Sequence, residues 1–203
     1  MAEMRYTNAQ TAWPEPWTRT IGMGGVAGLV AAIVMGIYAM VAAATYQGTG
    51  FFTPLYHIAS PIVGGDPMMA SMDAAAGGDT FTFDVGPALV GAAVHLSWGA
   101  SWGAGFFALA RALRLRGAAA LVVAGTVFGL AVMLFMSWLT LPITAATLGG
   151  GKPIREMPSV VGWGTFSLEH AIFGVVIGIW AAARRPAAGR AEARRRDEPR
   201  LAA

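Results

Sequence analysis

Four long apolar stretches, separated by polar connections, set the pattern of the chain. They cover about Ile21 to Thr45, Val85 to Leu109, Gly117 to Thr140 and residues 160–183. A helix needs about 20 apolar residues to cross the hydrocarbon core of a bilayer, and each stretch is long enough. The pattern predicts an all-α, polytopic membrane protein, a four-transmembrane-helix bundle. The first stretch is too long for the core of a signal peptide and is expected to remain as a span. The fourth has the least distinct start, because its strongly apolar part begins only at Phe166.

The connections carry the charge. Residues 1–20 form a polar arm that meets the interface at Trp13 and Trp17. Residues 46–84 contain Asp66, Asp73, Asp79 and Asp84 but no lysine or arginine. Pro61 and the Gly64–Pro67 run read there as turns, and Met68, Met69 and Met72 fall in a short helix that packs the loop onto the spans. Arg111, Arg114 and Arg116 crowd the next connection, residues 141–158 hold Lys152 and Arg155, and the tail from Arg184 holds seven arginines. Placing twelve of the fourteen basic residues on one side sets both termini in the cytoplasm. The expected organisation is a cytoplasmic arm (1–20), a membrane domain (21–183) and a disordered basic tail (184–203). A bacterial or archaeal plasma membrane suits such a small glycine-rich protein.

Composition narrows the chemistry. Of 203 residues, 56% are hydrophobic and 12% charged, and there is no cysteine. Soluble domains are about 25% charged, so the deficit reinforces membrane embedding. The missing cysteine excludes disulfides, iron–sulfur ligation, thiol catalysis and covalent haem attachment. No phosphate loop, dinucleotide fingerprint, zinc-protease motif or nucleophile elbow is present. No catalytic residue stands out, and the chain reads more as a subunit than as an enzyme by itself. The arginine tail needs only anionic lipid as its partner, with no specific nucleic acid.

A weak internal repeat organises the spans. His95, Gly99 and Gly103 recur 75 residues later as His170, Gly174 and Gly178, and Asp84 aligns with Ser159 as a helix cap. In the odd spans Gly24, Gly28 and Met35 align with Gly125, Gly129 and Met136 at an offset of 101. Two parallel-repeat hairpins would produce this pattern, and so would coincidence in a chain with 27 glycines. Gly24, Gly28, Gly99, Gly103, Gly125, Gly129, Gly174 and Gly178 are the expected helix-packing positions.

His95 and His170 are the candidate site. Facing each other across the spans, they could ligate one haem b or one transition-metal ion, with His57 and Glu169 as further metal ligands. The plainer readings are structural histidines bonded to neighbouring spans, a surface His57, and a Glu169 near the membrane surface because the fourth span starts late. The expected function is an inner-membrane subunit or accessory protein with this histidine centre. The alternatives are a cofactor-free structural or assembly protein, or a small transporter or channel formed by oligomerisation. Its partners would be the lipid bilayer and either a homo-oligomer or a larger membrane complex.

Overall fold

In the computed structural model, Trp13 and residues 15–184 are described. Most of the expected arm and nearly all of the arginine tail lie outside these residues. The described chain is all helix and connection. Its helices are α1 (Trp17–Ala44), α2 (Thr53–Val63), α3 (Asp66–Ala76), α4 (Val85–Ala112), α5 (Ala118–Phe135), α6 (Leu141–Thr147), α7 (Gly151–Arg155), α8 (Met157–Val161) and α9 (Trp163–Ala183).

Three helical stretches are long and apolar enough to cross a membrane: Trp17–Ala44, Ala118–Thr147 and Trp163–Ala183. They point large apolar side chains outward, among them Ile33 and Ile37 on α1, Val123 and Val127 on α5, and Ile179 on α9. Apolar surface of this extent would be unstable in water and is at home in lipid. α4 has 28 residues but does not reach the same apolarity. Its outer face carries Ala93, Ser97, Ser101 and Gly105, where the other long helices carry branched aliphatics.

The long helices pair through glycine. α1 lies antiparallel on α4, and α5 antiparallel on α9. A Cβ on Gly28 would run into the carbonyl oxygen of Gly99 and the Cα of Gly103. A Cβ on Gly125 would equally meet the carbonyl of Gly174 and the Cα of Gly178. Bare glycine faces let the backbones approach this closely and gain dispersion contact along their length, as membrane helices require without a hydrophobic force between them. These contacts match Gly125 with Gly28, an offset of 97 and one helical turn from the alignment by glycine spacing. A run of glycines four apart repeats itself every turn, so spacing alone cannot choose the register. α1 also packs on α9, and Trp102 and Phe106 of α4 meet Phe128 of α5, with ring centroids 6.1 and 5.4 Å apart.

The connections differ most from expectation, so that a plain four-helix bundle with loops is corrected. Residues 46–84 fold into α2 and α3, and Pro61 sits inside α2 instead of making a turn. Tyr56, fully buried, anchors them: its hydroxyl accepts from the Asp84 amide at 2.7 Å. Asp84 in turn caps α4, its carboxylate accepting from the Gly86 amide at 3.2 Å. The third long helix does not stop before Pro142. It passes through a π turn, Met136–Thr140, in which the Leu141 amide donates to the Met136 carbonyl five residues back, and continues as α6. Proline cannot donate to the carbonyl four residues earlier and clashes with it, and the wider turn relieves that clash. Ser159 lies within α8 rather than capping the fourth long helix. Gly162, at φ +90°, breaks the chain between α8 and α9, so α9 begins at Trp163.

Candidate functional site

α4 presents one stripe, Gly91–His95–Gly99–Gly103, to two successive neighbours. A Cβ on Gly91 would strike the backbone of Leu55, so this end of the stripe seats α2. Gly99 and Gly103 seat α1. His95 stands at the change of partner. It lies over Gly36, and its Nε2 donates to the Ala32 carbonyl of α1 at 2.9 Å.

Beyond this point α2 replaces α1 on the α4 stripe, and α2, α3, α7 and α8 supply much of the wall of a hollow beside the long helices. The result is a cavity of about 610 Å³. Its wall is largely apolar and rich in methionine: Met35 and Met40 of α1, Met68 and Met72 of α3, Met136 of the π turn and Met157 of α8. His57, His95, Glu169 and His170 also line it, with Trp98. Four side chains singled out from sequence therefore reach one chamber from three different helices.

Each histidine is held by a backbone carbonyl. His57 is buried on α2, 5% exposed, and its Nε2 donates to the Pro153 carbonyl of α7 at 2.9 Å. The surface position expected for it is thus replaced by a clasp between α2 and α7. Burial lowers its pKa, partly offset by the carbonyl, which favours the protonated ring. His170 donates from Nδ1 to the Phe166 carbonyl one turn earlier in α9, at 2.8 Å, and its ring rests on the Phe166 ring. A carbonyl oxygen can only accept, so each bonded nitrogen carries the proton, and a neutral ring keeps its other nitrogen as an acceptor.

Glu169 has no hydrogen-bond or ion-pair partner among the described residues, although it is only 5% exposed. α9 does begin late, at Trp163, and within the protein Glu169 is buried at the chamber wall.

The haem or metal centre expected at His95 and His170, with His57 and Glu169, is overturned. Among the described residues no group of three or more histidine, cysteine, aspartate or glutamate side chains is arranged to hold a metal ion. The physical reason lies in the three bonds above. The rings are turned to carbonyls on α1, α7 and α9 itself, so they share a chamber without converging on a point. Spacing along the chain could place the histidines at one level but could not show what each would bond.

The chamber itself had only indirect sequence signals. Pro142 inside a long apolar run foretells a deformed helix beside it. The roles of Trp98 and Met157 had no such signal. Compared with protein families, curated proteins and solved structures, the chain matches none of them.

Proposed function

We propose that this is a cofactor-free integral membrane protein of the structural or assembly kind, held in a prokaryotic plasma membrane by four spans. α4 is the fourth span. It is long enough, and α1 runs antiparallel to it along its glycine face. That contact, repeated between α5 and α9, is the observation that carries the proposal. Two parallel-repeat hairpins, α1–α4 and α5–α9, account for it. The same antiparallel order puts Arg19, Arg111, Arg114 and Arg184 at one end of the long helices, which supports a cytoplasmic location for both termini. At this end Arg111 donates to the Glu15 carbonyl and to Thr20, and lies 4.3 Å from the centre of the Trp17 ring.

A transporter is less well supported within one chain. None of the glycines at which the long helices pack lines the chamber, so the space ends where Gly28 meets Gly99. A path would have to form between subunits.

Single cysteines test the topology, since the chain has none of its own. Gly65→Cys and Ala112→Cys should label from opposite faces of sealed vesicles. Labelling from the same face would remove α4 from the spans. Protein purified from cells replete in iron, copper, zinc and haem should carry none in stoichiometric amount. Native mass spectrometry after extraction into nanodiscs should show an oligomer or larger complex, and a chain that always leaves the membrane alone would overturn the assembly role.

A further inference from the structure

We propose that the chamber is a binding site for a small amphipathic amine: an apolar body bearing one protonated amino group. This goes beyond the structural role above and does not depend on it.

The size and lining set the body. A volume of about 610 Å³ is typical of pockets that enclose a small organic molecule. The wall is methionine, leucine, isoleucine and aromatic, and methionine lets it adapt to different apolar shapes.

The polar groups set the head. Three histidines have committed their donor nitrogens to the carbonyls of Pro153, Ala32 and Phe166. What each neutral ring retains is an acceptor. Glu169 adds two more acceptor oxygens when ionised. It is buried, lines the chamber and has no partner of its own among the described residues. The chamber therefore sets these acceptors among neutral donors such as Thr140 and Thr144, and its lining holds no lysine or arginine to balance a carboxylate. A buried carboxylate without a counter-charge is costly, and a bound ammonium would supply Glu169 with both the positive charge and a charge-assisted donor. A hydroxyl would supply one donor and no charge. A carboxylate ligand would be repelled.

The test uses the full-length protein in zwitterionic nanodiscs, titrated calorimetrically with three soluble probes that share one body: 4-phenylbutylamine, 4-phenylbutanol and 4-phenylbutyrate. Heats from empty nanodiscs are subtracted. The amine should bind saturably at one per chain, about tenfold or more tighter than the other two, as expected for a charge-assisted contact. In Glu169→Gln the amine should fall to the level of the alcohol, while the alcohol is unchanged. Ala39→Phe, which projects a ring from α1 into the chamber, should abolish binding of all three. Equal affinity for amine and alcohol in the wild type would overturn the proposal without any variant. So would no saturable binding, a preference for the carboxylate, or an amine affinity retained in a Glu169→Gln protein of unchanged helicity. A phospholipid that co-purifies in the chamber and is not displaced by the amine would overturn it as well.

Discussion

The two ends of the long helices are built on opposite principles. At the end bearing Gly24, Gly28, Gly99 and Gly103, with their counterparts Gly125, Gly129, Gly174 and Gly178, backbone lies on backbone and no room remains for a methyl group. At the other end residues of the same helices, Met35, Met40, Trp98 and Met136, line a chamber to which the short helices add further walls. The tight end holds the molecule together. The hollow end uses the rigidity this provides to keep an unpaired carboxyl group and three histidines in place, where an unsupported assembly would collapse around them.

Substitutions that add bulk should separate the two ends most clearly. Gly28→Leu or Gly125→Leu would force backbones apart and cost about 1–3 kcal/mol or more, whereas Ala39→Leu adds the same kind of side chain where there is space, for a change within about 0.5 kcal/mol. Reversible unfolding in mixed micelles measures both. Equal losses at Gly28 and Ala39 would mean that the chamber is not open.

Glu169→Met probes the cost of the hollow end. Removing an unpartnered buried carboxyl while preserving volume should stabilise the ligand-free protein by about 1–3 kcal/mol. A destabilised variant would show that the carboxyl group of Glu169 is satisfied within the chamber.

The histidines test how the ends are joined. His95→Phe breaks the bond to Ala32 between α4 and α1 and should cost about 1 kcal/mol. His170→Phe breaks a bond within α9, where the Phe166 carbonyl keeps its backbone partner, and should cost about half as much or less. The double-mutant cycle between them should show coupling of about 0.5 kcal/mol or more, because both rings line one chamber.

The smallest effect concerns acid. Burial lowers the folded-state pKa of His57, so the unfolded chain binds its proton first as pH falls. Its contribution to stability is complete above the ordinary histidine range near pH 6.5 and declines as pH drops from there toward the lowered folded value. His57→Asn should therefore flatten the fall of melting temperature between pH 7.5 and pH 5. An unchanged slope would show that the α2–α7 clasp does not respond to acid.

The sequence alone was enough to mark the chain as helical and membrane-embedded and to single out glycines at which its long helices touch. Those properties follow from local composition and from side-chain periodicity, both written along one dimension. It also singled out His57, His95, Glu169 and His170, because polar groups are costly within or beside apolar runs. Tertiary structure decided what those groups do. Whether His95 reaches a metal or the Ala32 carbonyl depends on which helix lies opposite and in which of several registers one turn apart. A repeat of glycines every four residues leaves that choice open. The chamber was equally undetermined, because it is the space between Met35 of one helix, Met136 at a proline-induced π turn of another, and α2 folded back onto Gly91. No single stretch encodes a void. It arises from close packing at one end of the helices and its absence at the other.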